Sequence, residues 1–156
     1  MSPRRRKTLL IEDHALVRES MLLLLEQRLP GHAWCEAATL AAALAKLARE
    51  PDIDLLLLDL DLADSRGLPT LDRVREAVPL IPVVVVSAHD DRDSVFAAIG
   101  RGAAGFLSKT VDAEQLVAAV QRVLLGGVIV PAGAAGLRVA NDGTPELTGR
   151  QRDVLR

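Results

Sequence analysis

Aromatic residues make up only 2% of this 156-residue chain. That argues against a base-stacking platform for single-stranded nucleic acid, which is built from aromatic faces. It also means that Leu, Val, Ile and Ala must build the core, a composition suited to helices packed on a sheet. The single cysteine, Cys35, excludes an internal disulfide and a thiolate metal cage, and reads as a buried thiol in a reducing cytoplasm. No His or Cys cluster argues for zinc. Nothing approaches the run of about 18 apolar residues that a membrane helix requires. The basic start, Arg4, Arg5, Arg6 and Lys7, is followed by Leu9, Leu10 and Ile11, but that apolar stretch stops at Glu12 and Asp13, too soon for an export segment. A soluble, cytoplasmic protein with a solvated basic tail over residues 1–6 and no membrane partner is expected. Nineteen basic against twenty-one acidic residues leave a net charge of −2, so no field over the whole chain recruits nucleic acid. Such a partner would need a local site.

What is present is a regular alternation. The length allows one ordinary domain and a tail. Short apolar runs over Thr8 to Ile11, Ala33 to Ala37, Asp54 to Leu58, Ile81 to Val86 and Gly105 to Leu107 have the length of strands. Leu55 to Leu58 and Val83 to Val86 are continuous rather than alternating, the mark of strands buried on both faces of a parallel sheet. Between them, Leu40, Ala43, Leu44 and Leu47, and then Leu116, Ala119, Val120, Val123 and Leu124, recur at helical spacing. Thr39 and Asp112 stand as N-caps, the latter with Gln115 in a capping box. Ala15 to Leu29, Pro69 to Ala77 and Asp91 to Arg101 supply the other helices. Five strand and helix pairs predict right-handed crossovers and an open, doubly wound α/β sheet. After Gly126 and Gly127 the chain becomes rich in Gly and Pro, and residues 128–146 read as a linker. A helix is expected to restart at Leu147, with Thr148 and Gln151 as its capping box.

In such a sheet the ligand crevice lies beyond the carboxyl ends of the strands. Four of the five ends deliver chemistry to that rim: Glu12 and Asp13, then Asp59, Ser87 and, after a turn, Lys109. The second strand delivers Ala37 and Ala38. Taken singly, the acid pair fits a solvated loop, Asp59 a helix cap, Ser87 a turn and Lys109 a surface charge; their shared placement favours one site. Three converging carboxylates repel unless a cation joins them, and Mg2+ is the hard ion that takes such oxygen ligands. With it, an aspartate can attack phosphorus and form an acyl phosphate, while Lys109 and the Ser87 hydroxyl neutralise phosphoryl oxygens.

These residues resemble the receiver domains of two-component response regulators, over roughly Lys7 to Leu125 and within a domain placed at residues 7–127. The likeness rests on Leu9 to His14, on Leu55 to Leu60 with Gly67 and Leu68 beyond it, on Val83 to Ala88, and on Gly102 to Lys109. The resemblance implies a flavodoxin-like (CheY-like) sheet of strand order 2-1-3-4-5 with five flanking helices. It implies that Asp59 takes a phosphoryl group from the phosphohistidine of a sensor histidine kinase. Glu12, Asp13, Asp59 and the main-chain carbonyl of Asp61 would bind Mg2+, Ser87 and Lys109 would contact the phosphoryl group, and Phe106 would swing inward as Ser87 moves. Dimerisation through outer helices on phosphorylation is a further implication. The protein would not be a turnover enzyme: it would catalyse only its own phosphotransfer and dephosphorylation.

Leu147 to Leu155 look like the opening of a LuxR-type helix-turn-helix domain, which would place the parent among the NarL/FixJ transcription regulators. Residues 147–156 would be its first, truncated part; without a second helix to enter the major groove, this chain is not expected to bind operator DNA alone. Some positions depart from the family pattern. Ala63 replaces a usual proline, and Asp64, Ser65 and Arg66 make that loop polar, so it is expected to be loosened or reshaped. Asp61 and His89 occupy places where the family tunes acyl-phosphate lifetime, with a sign left open. A rival resemblance is to haloacid-dehalogenase-like phosphatases, with Asp59 as nucleophile and Asp61 as acid and base, but there the acid pair follows the lysine, whereas here it comes first.

Overall fold

The computed structural model describes residues 7–127, 137–139 and 145–147. Strand and helix alternate as β1 (Lys7–Ile11), α1 (Ala15–Arg28), β2 (Ala33–Ala37), α2 (Leu40–Arg49), β3 (Ile53–Asp59), α3 (Leu68–Ala77), β4 (Val83–Ser87), α4 (Arg92–Gly100), β5 (Gly105–Ser108) and α5 (Ala113–Leu124). The five strands pair in parallel in the order β2-β1-β3-β4-β5, as the resemblance implied.

Side chains of one strand alternate between two cores. From β3, Leu56 and Leu58 join Leu9, Ile11, Val83, Val85 and Phe106 under α2, α3 and α4. Leu55 and Leu57 join Leu10, Val84, Val86 and Leu107 under α1 and α5. All four β3 leucines are fully buried, each contributing about 1.5–3 kcal/mol of apolar transfer. Continuous apolar runs are thus the signature of a sheet covered on both faces.

The helix caps form as expected. Thr39 accepts from the Ala42 amide, and Asp112 and Gln115 close a reciprocal capping box. β4 begins at Val83 rather than Ile81, because Pro82 has no amide to donate; its carbonyl still accepts from the Leu56 amide. Lys7, grouped in sequence with the basic cluster, is instead the first residue of β1, paired with Glu50 and Asp52. Cys35 is half-buried rather than buried, on edge strand β2, with its thiol donating to the Thr8 carbonyl.

The stretch expected to be linker holds two three-residue strands, β6 (Leu137–Val139) and β7 (Pro145–Leu147), paired antiparallel. Leu147 is therefore the last residue of a strand and not the first of a helix, since its backbone is taken up by pairing with Leu137. Thr148 and Gln151, the expected capping box, lie outside the described residues.

Candidate functional site

Register brings the rim together. Ile11 pairs with Leu58, Asp59 with Val86, and Ser87 with Ser108, so Glu12, Asp59, Ser87 and Lys109 all stand at or one step beyond the ends of adjacent strands. The backbone locks that arrangement: the Glu12 amide donates to the Ala37 carbonyl at 3.0 Å and the Lys109 amide to the Ser87 carbonyl at 2.9 Å.

Lys109 sits at the electrostatic centre. Its Nζ donates to Glu12 Oε1 at 2.9 Å and to Asp59 Oδ2 at 3.0 Å. The second Asp59 oxygen accepts from the Asp61 amide at 2.9 Å. Glu12 Oε2 takes both the amide and Nδ1 of His14, at 3.1 and 3.0 Å. Burial pushes the Glu12 carboxyl up, but the hydrogen bonds from Lys109 and His14 outweigh it and hold the group at about 2. At Asp59 burial wins: with the Glu12 charge nearby it raises the carboxyl above its ordinary value, against the bonds from Asp61 and Lys109. Burial alone would lower the Lys109 ammonium; its bonds to Glu12 and Asp59 raise it instead. His14, exposed, is raised chiefly by its bond to Glu12.

Glu12, Asp13, His14 and Asp59 each offer one ligand atom, all within 4.8 Å of one another. Asp13 Oδ1 is a buried oxygen without a hydrogen-bond partner; His14 Nδ1, though 3.2 Å away, is not aligned to donate to it. An orphaned carboxylate oxygen between two further carboxylates is the environment a hard divalent cation satisfies, so the donor set fits Mg2+.

The remaining expected residues gather beside this cluster. Asp61, Ser87, His89 and Phe106 line a cavity of about 300 Å³ together with Leu60, Gly67, Leu68 and Ser94. Ser87 is buried and its Oγ accepts from the His89 amide at 3.0 Å; Phe106 lies inward, 1% exposed. The Asp61 side chain is half-exposed, 3.6 Å from Arg66 Nε.

The loop after Asp59 is reshaped and tied rather than loosened. Asp64 places one oxygen 2.9 Å from the Leu40 amide and the other 3.0 Å from that of Ala41, capping α2 from a distance in sequence. Those bonds hold the Asp64 carboxyl below its ordinary value. Ser65 Oγ meets Thr70 Oγ1 at 2.6 Å, Asp61 and Arg66 form a backbone bridge, and Gly67, at φ 77°, turns the chain into α3. Three residues that matter were given no such role in sequence: His14, Arg18 and Asp64. His14 follows the acid pair directly, a signal within reach, and Arg18 stands six residues beyond Glu12; the Glu36 brace on Arg18, across 18 residues, and the Asp64 cap on α2, across 24, are separations that no local pattern encodes.

Residues 8–121 match the family described as response regulator receiver domain. The chain is 38% identical over 125 residues to the glycerol metabolism activator of Pseudomonas putida, covering 80% of this chain and 57% of that one. It is 35% identical over 158 aligned positions to the nitrate/nitrite response regulator protein NarL of Escherichia coli (strain K12), covering 95% and 72%. The crystal structure of a LuxR-family two-component response regulator from Aurantimonas sp. SI85-9A1 superposes with a TM-score of 0.75 at 27% identity, over 83% of this chain and 91% of that one. The chain thus spans little more than half the length of the Pseudomonas relative.

Proposed function

The chain belongs to the response regulator receiver family, and from that premise we propose that Asp59 accepts a phosphoryl group from the phosphohistidine of a sensor histidine kinase. The observation that carries this is the state of Asp59. It is a buried carboxylate at a strand end, one oxygen held by Lys109 and the other by the Asp61 amide, beside an acid pair with a buried oxygen that accepts no hydrogen bond. Glu12, Asp13, Asp59 and the Asp61 main-chain carbonyl would hold Mg2+, which when bound would supply neutralisation of the negative charge gathered at the site.

This chain's own groups do the rest. The Asp61 amide orients the Asp59 carboxylate, so that one oxygen faces the phosphorus. Lys109 exchanges part of its contact with Asp59 for a phosphoryl oxygen, staying charged throughout. The Ser87 hydroxyl gives up the His89 amide to reach another oxygen, and Phe106 repacks against the cavity the two share. Asp61 and His89, at the cavity mouth, set how long the acyl phosphate survives. On phosphorylation two copies pair through outer helices, and the parent protein controls transcription through a helix-turn-helix domain of which residues 147–156 are the first part. The site acts as a switch charged once per signal, in the cytoplasm; no described helix is long and apolar enough to cross a membrane. The phosphatase rival finds no support, since the matched family, the Escherichia coli relative and the Aurantimonas structure are response regulators.

Incubation with acetyl phosphate and Mg2+, followed by intact-protein mass spectrometry, tests the proposal. One phosphoryl group per chain is expected, absent from Asp59→Asn. A wild-type chain that stays unlabelled, or hydrolyses phosphomonoesters with sustained turnover lost in Asp61→Ala, overturns it.

A further inference from the structure

Among the five strands of the described parallel sheet, only β2 brings no acid, hydroxyl or ammonium to the rim. Its contribution is indirect. Glu36, one residue before the end of β2, accepts from Arg18 Nε at 2.9 Å. The same guanidinium donates through Nη1 to the main-chain carbonyl of Glu12 at 2.8 Å. The Glu12 amide, for its part, donates to the carbonyl of Ala37, the last residue of β2. Both peptide units flanking Glu12 are therefore fixed, one by the β2 backbone directly and one by β2 acting through Arg18.

The carbonyl that Arg18 grips belongs to the peptide joining Glu12 to Asp13, so its orientation decides where the Asp13 carboxylate points. Arg18 is well placed to hold it. It lies in the first turn of α1, its own amide donating to the His14 carbonyl at 2.9 Å, and its side chain is only 14% exposed. A planar guanidinium presents Nε and Nη1 in a fixed relation, so gripping Glu36 with one aims the other; an ammonium on a flexible stem does not transmit direction in this way.

We infer that Arg18, braced by Glu36, is a positioning residue for the divalent cation, holding the Glu12 and Asp13 pair in register with Asp59. This rests on the proposed reading of the acid cluster as a Mg2+ site. Neither Arg18 nor Glu36 touches the cation; they act through the Glu12 carbonyl.

Calorimetric titration of Mg2+ into the full chain, without phosphodonor, tests the inference. Arg18→Ala is expected to weaken Mg2+ binding about tenfold, as loss of a supporting contact around a metal does, and Glu36→Ala about threefold. Arg18→Lys should fall between wild type and Arg18→Ala, because an ammonium reaches the carbonyl without the brace. Arg18→Ala/Glu36→Ala should be no weaker than Arg18→Ala alone, since the two act in one chain of contacts. Thermal melts in EDTA follow the fold separately. A lowered melt with Mg2+ affinity within twofold of wild type in both single variants assigns Arg18 a structural role only and overturns the inference. Should Arg18→Ala fail to fold, Glu36→Ala decides, its side chain being 48% exposed: unchanged affinity overturns the inference, weakened affinity sustains it. If wild type takes up no Mg2+, the cation reading itself falls and the inference with it; if wild type binds and the variants match it, only the inference fails.

Discussion

The two ends of the sheet carry the same chemical arrangement with opposite consequences. At one end Lys7 Nζ lies between Glu50 and Asp52; at the other Lys109 Nζ lies between Glu12 and Asp59. The lysines are nearly equally exposed, 20% and 19%, so they are not the difference. The carboxylates are. Glu50 and Asp52 keep 28% and 51% of their side-chain surface in water, whereas Glu12 and Asp59 keep 2% each. Water neutralises the first cluster, which then only fastens the start of β1 to the loop before β3. In the second, fixed donors must do what water cannot, and the balance leaves Glu12 low, Asp59 high and a buried Asp13 oxygen that accepts no hydrogen bond. Burial of the acids is what separates the proposed acceptor site from an ordinary salt bridge.

The largest break in this comparison should come from deleting Lys109. Lys109→Ala strands two buried carboxylates, and urea unfolding in EDTA at neutral pH should show a loss of about 3 kcal/mol. Next, Mg2+ at a hundred times its dissociation constant should stabilise the wild-type chain by about 2.7 kcal/mol. That gain should vanish in Asp13→Asn and persist in Asp52→Asn.

The acid limb should separate the two carboxylates of the buried pair. Glu12 titrates at about 2 against an ordinary 4.5, so its stability contribution is present above pH 4.5 and lost as pH falls toward 2. Glu12→Gln should flatten the stability profile in that window. Asp59 is raised, so it favours the fold at low pH and loses that contribution as pH rises above the ordinary aspartate value of 3.8. Asp59→Asn should therefore be at least as stable as wild type at neutral pH in EDTA. The smallest effect belongs to Lys7→Ala, a loss that shrinks with added salt, as it does for solvated pairs.

Sequence made the buried end legible and the tuning around it obscure. Continuous runs at Leu55 to Leu58 and Val83 to Val86 revealed strands covered on both faces, and strand ends then located Glu12, Asp59, Ser87 and Lys109 without any contact being known. What stayed hidden depends on long-range geometry. Asp64 caps α2 across 24 residues, so a loop read as loosened or reshaped by polar residues is reshaped and tied by them. Arg18 reaches the Glu12 carbonyl from six residues away, but its brace, Glu36, lies 18 residues further on in β2. The short pairing of β6 with β7 was missed because three-residue strands leave no periodicity to count, although Asp142 and Gly143 are residues that favour tight hairpin turns.

The central claim is that Asp59 is the phosphoryl acceptor, made so by its buried, cation-binding surroundings. Fluorine NMR of the chain with beryllofluoride, which occupies the phosphoryl position on an aspartate, addresses it most directly. Bound-fluoride resonances are expected for wild type only when Mg2+ is present, and for Asp59→Asn under no condition. Resonances that persist in Asp59→Asn, or a wild-type spectrum showing none with Mg2+, would contradict the account.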